Sequence, residues 1–379
     1  MKIEFYQTFT YAGPDHGQSW PAPPSACTSE WAAATYSNGL DECSVAVDAG
    51  FDTLTFAEHH YSPKQLTPNP MIMAGIAADR FPGQQVGVFG TDLPITNPVR
   101  IAEEYAMLDT LLGGRLRVAM LRGTPNEYLT YFDNPWESRE RHEEGTLLIK
   151  QCWTEPEPFA WEGRYFRYRN VSVWPRPCNP GGPRILVSAN SPDGAIFAGK
   201  HGFDIGFSYM APEACAANAD LYRSTAAGAG WTPTADNIQY RHSAWVAEDE
   251  QSAWGTFGQY AGGGLHALFA GASQDTRWAL ARCGMAMAGI MRGVPDSSGL
   301  EKRDLGDPPA PPLQPGMPFV GTPDTVIGLI KNVAETIGAG RVEIHAGFSV
   351  TGYIPTEQTQ AMVALMGQHV VPTVHAENW

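Results

Sequence analysis

The segment Gly114–Tyr128 (GRLRVAMLRGTPNEY) is the strongest indication of the fold in this sequence. Its apolar run Val118–Leu121 is typical of a parallel strand that is buried on both faces. Arg122 and Gly123 follow directly, where the strand ends and a loop begins. In parallel α/β proteins, ligands bind at this end of the strands. An arginine beside a glycine there could bind an anion such as a phosphate or pair with a nearby carboxylate, and position alone leaves both open.

Composition narrows the classes of function. The chain has 379 residues and a formal net charge of −15, with no block of lysine and arginine, which argues against nucleic-acid and anionic-membrane partners. The amino terminus lacks the apolar core of a secretion signal, and no window approaches the roughly 18 apolar residues of a membrane span. Six cysteines without Cys-x-x-Cys spacing argue against structural zinc and a disulfide framework. We therefore expect a cytoplasmic protein.

Outward from this segment, strands alternate with helices along most of the chain. Helix starts are clear at Asn69-Pro70 and Asn97-Pro98, where an N-cap residue precedes proline. The segment Trp161–Trp174 predicts an antiparallel hairpin. The Met-, Gly- and Pro-rich segment 255–318 breaks the alternation and is interpreted as an insertion that forms a lid over the pocket. Strands are predicted at 3–9, 51–57, 85–90, 116–121, 185–189, 204–208, 239–246 and 341–345.

Eight strands that alternate with helices favour one (β/α)₈ barrel that spans residues 1–379, with the hairpin after strand four and the lid before strand eight as insertions. The rival fold is an open doubly wound sheet. No Gly-x-Gly-x-x-Gly motif follows strand one, which disfavours that fold and a bound nicotinamide cofactor.

Glu58-His59-His60 stands at the end of strand two. Neighbouring residues that leave a strand point to opposite sides, so one histidine can face the barrel mouth while the other packs behind it. His59 and His60 are therefore candidates for a general base or a substrate contact. Two structural histidines and a metal site are the alternatives, although no further metal ligands stand at recognisable spacing.

Two more strand ends can contact a ligand. After strand five, Ser191 and Pro192 predict a helix start, and Gly194 allows close approach, so this turn can bind an anion. A plain capped helix gives the same pattern. After strand three, the step Phe89-Gly90 could let a flat ring lie close to the backbone, and an ordinary strand end is the alternative.

These motifs together are similar to those of the bacterial luciferase family of flavin-dependent monooxygenases. The similarity covers most of the chain. Five segments carry it, in the family's order: Ala57–Tyr61, Pro94–Arg100, Gly114–Val118 with Arg122-Gly123, Val187–Ser191 and Val320–Pro323.

The resemblance implies a barrel enzyme of two-component type. Reduced FMN would come from a separate reductase and bind at the carboxyl ends of the strands. Molecular oxygen would form a flavin C(4a)-peroxide that oxygenates a bulky organic substrate, by hydroxylation or by a Baeyer–Villiger reaction. Dimers are common in the family, so we expect a homodimer.

The resemblance also implies roles for single residues. His59 takes the position of the catalytic histidine. Arg122 takes that of the arginine which binds the flavin phosphate, and Ser191 and Gly194 match the helix start that shares this role. Asn190 stands at a position that is acidic in luciferase.

Two further positions bear on the resemblance. A non-prolyl cis peptide under the flavin ring would fall on Phe89-Gly90, at a cost of about 3 kcal/mol that the site must offset. Leu121 replaces the reactive cysteine of luciferase, so no thiol role and no light emission are implied.

Two other functions remain open from the sequence. One is a deazaflavin-dependent oxidoreductase that transfers hydride, although such relatives typically carry an acidic residue in place of His59. The other is a non-catalytic flavin-binding or luciferase-partner protein, although such relatives tend to lose the histidine and shorten the barrel.

Overall fold

The computed structural model describes residues 1–14, 21–124, 127–128, 131, 134, 137–261, 316–347, 349, 352–377 and 379. Within these residues, parallel strands alternate with helices. The strands are β1 (Lys2–Tyr6), β2 (Thr53–Phe56), β3 (Gln85–Asp92), β4 (Leu116–Leu121), β5 (Phe159–Glu162), β6 (Arg167–Val171), β7 (Arg184–Ser188), β8 (Asp204–Ser208), β9 (Ile238–Val246), β10 (Phe319–Gly321) and β11 (Arg341–His345). The helices are α1 (Ser29–Asp48), α2 (Pro70–Arg80), α3 (Pro98–Leu111), α4 (Ser138–Thr154), α5 (Pro192–His201), α6 (Pro212–Gly228), α7 (Glu250–Ala261), α8 (Pro323–Ile337) and α9 (Thr356–Ala376).

Eight of these strands form a closed parallel barrel, in the order β1, β2, β3, β4, β7, β8, β9, β11 and back to β1. The ring closes because β9 pairs with both β8 and β11. The short β10 pairs with β9 outside the ring. The predicted (β/α)₈ barrel is therefore confirmed, and every strand end after which a functional residue was predicted opens on the same rim.

The hairpin excursion is also confirmed, since β5 and β6 pair antiparallel. Both predicted helix starts have the expected chemistry. The side chain of Asn69 accepts a hydrogen bond from the backbone nitrogen of Met71 at 3.0 Å, and that of Asn97 accepts from Val99 and Arg100 at 3.0 and 3.1 Å. A short polar side chain that satisfies the first free N–H groups fixes where each helix begins.

Strand one is shorter than predicted. It ends at Tyr6, and Phe9 has a φ of 49°. The chain leaves the sheet because the side chain of Gln7 accepts a hydrogen bond from the backbone nitrogen of Phe9 at 3.0 Å and donates to the carbonyl of Gly39. The alternation of apolar and polar residues after Tyr6 therefore belongs to a tight turn and not to a strand.

Most of the predicted lid, residues 262–315, lies outside the described residues. Helix α7 reaches into its first part, and residues 316–318 lead into β10. None of the described helices is long and apolar enough to cross a bilayer.

The barrel interior contains buried ion pairs and a small apolar cluster. At its base, the buried carboxylate of Glu4 accepts hydrogen bonds from Arg117 at 2.6 Å and Arg341 at 2.7 Å. Higher up, the guanidinium of Arg241 pairs with the carboxylate of Glu343. An apolar cluster of Phe89, Ala119, Leu186 and Leu121 lies on β3, β4 and β7, and the guanidinium of Arg117 lies 5.2 Å from the centre of the Phe89 ring. The barrel thus offers both charged groups and an apolar cluster.

Candidate functional site

Backbone strain marks the rim at the carboxyl ends of the strands. Among the described residues, three that are not glycine have a left-handed backbone: Phe9, Tyr61 and Tyr209, with φ of 49°, 56° and 61°. They follow β1, β2 and β8 within a few residues. Such conformations cost free energy and persist where the surroundings impose them, often at functional sites.

His59 pairs with a carboxylate from the loop after β4. Its Nδ1 lies 3.2 Å from Oε1 of Glu127, which also accepts a hydrogen bond from the backbone nitrogen of His60 at 2.9 Å. The other oxygen of Glu127 accepts from the backbone nitrogen and hydroxyl of Thr124 at 3.0 and 2.6 Å. The His59 side chain is 30% exposed and that of Glu127 only 1%, so the carboxylate is fixed from behind while the imidazole reaches the surface of the mouth.

His60 packs behind and makes a separate pair. Its Nε2 lies 2.9 Å from Oε1 of Glu58, and the other oxygen of Glu58 accepts from the backbone nitrogen of Asp92 at 3.2 Å. Burial alone would lower the pKa of His60, but the hydrogen bond and charge of Glu58, with the charge of Glu127, raise it. The charged form of His60 is therefore favoured beside the buried carboxylate of Glu58, and we interpret this pair as structural.

Three carboxyl groups thus meet behind His59. Burial raises the pKa of Asp92 well above its usual range, and the charges of Glu127 and Glu58 raise it further. Burial would also raise the pKa of Glu127. The charge and hydrogen bond of His59, then Asp92 and Thr124, outweigh this and lower the pKa of that carboxylate to about 2. These shifts favour the neutral form of Asp92 and the charged form of Glu127.

A second group of residues can bind an anion. The guanidinium of Arg122 donates to the hydroxyl of Ser138, the first residue of α4, at 2.7 Å. Next to Ser138, Arg139 forms an ion pair with Asp193 of α5 at 3.2 Å. The charges of Arg122, Arg139 and Asp193 all act on the pKa of Glu143, so the two arginines and the first turn of α5 face the same part of α4.

Helix α5 begins as predicted, with Ser191 at the N-cap position and Pro192 at the first helical position. The Ser191 side chain makes no capping hydrogen bond, so it does not occupy the first N–H groups of α5, which could bind an anion. The amide of Asn190 instead exchanges two hydrogen bonds with the backbone of Ser208, at 3.0 and 3.1 Å. A Cβ at Gly194 would lie 2.0 Å from the carbonyl oxygen of Ser188, so this glycine is required by helix–strand packing whether or not a ligand binds.

The expected cis peptide at Phe89-Gly90 is wrong, since the one cis bond among the described residues precedes Pro175. The end of β3 instead contains a register shift between Phe89 and Thr91, with Gly90 at a φ of 144°. A glycine takes up the bend there without the cost of a non-prolyl cis bond. A Cβ at Gly90 would also lie 2.8 Å from the Cβ of Ala57, and the Phe89 ring is fully buried in the apolar cluster.

The structure therefore brings the predicted residues together as two groups. His59 and His60 join Glu127, Glu58 and Asp92, whereas Arg122 joins the start of α5. Sequence reasoning missed Glu127 and Asp92 as partners of the histidine. Their signal was weak: Asp92 is the last residue of β3 and Glu127 lies in the loop after β4, and single acidic residues are common at such places.

The metal alternative finds no support in the part of the chain that the structure describes, where no group of three or more histidine, cysteine or acidic side chains could hold an ion. For a phosphate, the donor chemistry fits. Arg122 and the helix start can supply positive charge and N–H donors to a phosphate, and Arg139 lies beside them in its ion pair with Asp193. The rim therefore has a group of residues that could hold an anion and, separately, a histidine that a carboxylate fixes.

With this geometry, the chain belongs to the luciferase-like monooxygenase family, whose sequence model matches residues 9–339. Among curated relatives, the alkanal monooxygenase alpha chain of Photorhabdus luminescens is 30% identical over 167 residues, which are 44% of this chain and 46% of that protein. The oxygenase component of the flavin-dependent trigonelline monooxygenase of Acinetobacter baylyi is 24% identical over 173 residues, 45% of this chain and 48% of that protein. The match spans about half the length of these relatives.

Solved structures resemble the chain over almost its whole length. The monooxygenase RslO1 from Streptomyces bottropensis has a TM-score of 0.72 at 25% identity and covers 98% of this chain and 99% of its own. The oxygenating constituent of the 3,6-diketocamphane monooxygenase of Pseudomonas putida, a type II Baeyer–Villiger enzyme in complex with FMN, has a TM-score of 0.70 at 20% identity and covers 98% of both chains. An F420-dependent secondary alcohol dehydrogenase has a TM-score of 0.68 at 16% identity and covers 98% of both. The last two show the fold alone.

Proposed function

We propose that this protein is the oxygenase component of a two-component flavin monooxygenase. The observation that carries the proposal is that residues suited to bind an anion and a partly exposed, carboxylate-bound histidine lie on one barrel rim. An extended cofactor with a phosphate at one end and a reactive ring at the other would use both. Family membership supports the reaction type, and the names of two relatives, an oxygenase component and an oxygenating constituent, support a separate reductase.

The cofactor that we propose is reduced FMN, bound as a co-substrate. Arg122, Arg139 and the start of α5 at Ser191 would hold its phosphate, and Phe89 and Gly90 would lie under its ring. When bound, reduced FMN supplies the electrons and the atom at which molecular oxygen is activated.

The residues of the chain have defined tasks in this proposal. His59 holds or accepts a proton at Nε2, the ring nitrogen that Glu127 does not contact. The apolar cluster, with Leu121 nearest the mouth, excludes water and accepts the hydrocarbon part of a bulky substrate. The outcome is either hydroxylation or a Baeyer–Villiger insertion, and a relative is named for the second reaction.

The test measures cofactor binding and turnover separately. The protein is titrated with reduced FMN and with the reduced deazaflavin F420 under anaerobic conditions, and the proposal expects a clear preference for FMN. With a flavin reductase and candidate ring ketones or phenols, we expect oxygen-dependent product. His59→Asn should lower turnover on the order of 100-fold with FMN binding unchanged. Preferred binding of F420 with hydride transfer, or turnover untouched by His59→Asn, would refute the proposal.

We also propose a homodimer that forms through the outer faces of α2 and α3. These helices pack side by side and expose large apolar side chains at four-residue spacing, which forms two apolar ridges: Ile72 (61%), Ile76 (42%), Met107 (54%) and Leu111 (67%). Exposed apolar patches of this kind favour protein contacts. Light scattering should give twice the chain mass for the wild type and a monomer for Leu111→Glu, while Ile196→Glu, at an exposed site on α5, stays dimeric. A monomeric wild type would exclude this interface.

A further inference from the structure

We propose that Asp92 and Glu127 share one proton and together hold His59 in the tautomer whose hydrogen is on Nδ1. The inference rests on the proposed function for the use that it gives to His59, while the arrangement itself belongs to the protein without any ligand. Asp92 and Glu127 are positioning residues in this scheme, because they act on the reacting atoms through the imidazole.

The contacts of Glu127 determine the direction of its bond to His59. Both of its oxygens already accept hydrogen bonds from backbone N–H groups, of His60 at 2.9 Å and of Thr124 at 3.0 Å. A backbone N–H can only donate, so these two bonds fix the orientation of an ionised carboxylate. An ionised carboxylate has no hydrogen to give. At 3.2 Å from Oε1, the Nδ1 of His59 must therefore be the donor.

Asp92 occupies the position behind this carboxylate. Its side chain is buried and packs directly against Gly123, which has a φ of 69°. A Cβ on residue 123 would lie 2.6 Å from the carboxyl carbon of Asp92, so the two residues are in close contact. Its Oδ2 is buried and receives no hydrogen bond from any donor in the described part of the chain. Oδ2 is therefore placed to carry a proton rather than to accept one.

The neighbours of Asp92 are the carboxylates of Glu127 and Glu58, and Asp92 and Glu127 are hydrogen-bond partners. In the described ranges, no arginine or lysine forms an ion pair with any of the three. Two buried carboxyl groups in contact do not both ionise, because their like charges repel in a region of low dielectric. One proton therefore stays between them, and Asp92 donates it to Glu127, whose charge is stabilised by hydrogen bonds from the backbone of His60 and Thr124.

The consequence concerns the other ring nitrogen of His59. With hydrogen on Nδ1, the neutral ring has its lone pair on Nε2. This atom has no hydrogen-bond partner among the described residues, and the side chain is 30% exposed. Nε2 is thus ready to take a proton from an O–H group of a ligand. After that transfer both ring nitrogens carry hydrogen, the ligand oxygen is left with the electron pair, and the Glu127 carboxylate stabilises the imidazolium.

The tautomer can be measured directly by NMR on the full-length protein without flavin. Histidines are labelled with ¹⁵N, and His59→Asn identifies the His59 signals among the ten histidines. At a pH where the ring is neutral, we expect hydrogen mainly on Nδ1, opposite to the preference of the free histidine side chain for Nε2. Glu127→Gln, which removes the charge and keeps the shape, should lower the Nδ1–H to Nε2–H ratio about fivefold. A wild-type ring with hydrogen mainly on Nε2 would overturn the proposal.

The proton on Asp92 is tested by infrared difference spectroscopy. We expect the wild type at neutral pH to show a protonated-carboxyl stretch that disappears in Asp92→Asn. The asparagine amide still donates to Glu127, so the His59 tautomer should be preserved in this variant. Glu335→Gln, on an exposed ion pair of α8, is the control and should change neither signal. An unchanged carboxyl band in Asp92→Asn would refute the shared proton.

These spectra do not depend on turnover. If the protein fails to oxygenate any substrate but shows the Nδ1–H tautomer, the proposed function fails and the inference stands. If it oxygenates substrate with His59 in the Nε2–H form, the inference fails and the function stands.

Discussion

Arg122 carries a permanent positive charge at the end of β4, and its guanidinium is held by Ser138. Charge-assisted hydrogen bonds to a phosphate contribute about 1.5–3 kcal/mol each. We therefore expect Arg122→Met to weaken binding of reduced FMN about 10- to 100-fold, measured by anaerobic fluorescence titration. Arg164→Met is the matched control, because Arg164 is an exposed arginine that pairs with Glu140 at 2.5 Å. Equal affinities in the two variants would remove Arg122 from the cofactor site.

Glu42 gives a prediction about pH. Burial raises its pKa to about 7 from 4.5, although Gln7 donates a hydrogen bond to it at 2.8 Å. The folded state keeps this proton between pH 4.5 and 7 while the unfolded chain loses it, so Glu42 lowers the free energy of unfolding as the pH rises through this window. At full effect the loss is on the order of 3 kcal/mol.

Glu42→Gln does not titrate and keeps an acceptor for Gln7. We expect it to melt at the same temperature as the wild type at pH 4 and a few degrees higher at pH 8. Thermal unfolding followed by circular dichroism at both pH values checks this. A variant that is less stable than the wild type at pH 8 would show that the charge of Glu42 stabilises the fold.

The sequence identified residues whose place follows from a strand end, namely His59, Arg122 and Ser191. It did not identify Glu127 and Asp92 as partners of His59. The periodicity of a strand predicts which way a side chain points, and that periodicity stops where the loop begins. Which loop carboxylate meets which histidine depends on how two separate loops pack, and only the three-dimensional structure contains that.

At the level of elements, the start of α5 lies closely against β7. A Cβ at Gly194 would lie 2.0 Å from the carbonyl oxygen of Ser188, which is a backbone atom that cannot move aside. We expect Gly194→Ala to lower the melting temperature by several degrees and to weaken FMN binding, since the helix must shift. Gly328→Ala is the control, because a Cβ at Gly328 of α8 meets nothing within 4 Å and alanine favours a helix by roughly 1 kcal/mol. A Gly194→Ala variant as stable as the wild type would refute this packing constraint.

Elements that are determined by interactions between residues close in sequence were predicted correctly, whereas an element that is ended by a distant residue was not. The starts of α2 and α3 were correct because Asn69 and Asn97 cap their own helices. The hairpin was correct because its pattern is local. Strand one was extended too far because a long-range bond from Gln7 to Gly39 ends it.

At the level of the whole molecule, the barrel was predictable because strand and helix patterns repeat, but the polarity of its interior was not. The run that contains Val118 suggested a strand that is apolar on both faces, yet Arg117 lies inside the barrel and is almost completely buried. Its partners Glu4 and Asp204 stand 113 and 87 residues away in the sequence. No local pattern reports a contact at that separation.

This buried cluster ties four strands of the barrel together, since Glu4 on β1 bridges Arg117 on β4 and Arg341 on β11, and Arg117 also reaches Asp204 on β8. Removing one partner of a buried ion pair leaves an uncompensated charge and costs about 3–5 kcal/mol. We therefore expect Glu4→Gln to lower the melting temperature by about 4–6 °C, given the entropy of unfolding of a chain of this length.

Glu335→Gln, which breaks only the exposed pair with Lys331, should change the melting temperature by less than about 1 °C. The effect of Glu4→Gln should also persist in high salt, because the interior pair is not screened as a surface pair is. If Glu4→Gln is as stable as the control, or if salt removes its effect, the cluster at the base does not hold the barrel together. The rigidity that keeps His59 and Arg122 in place would then have to come from the helices outside.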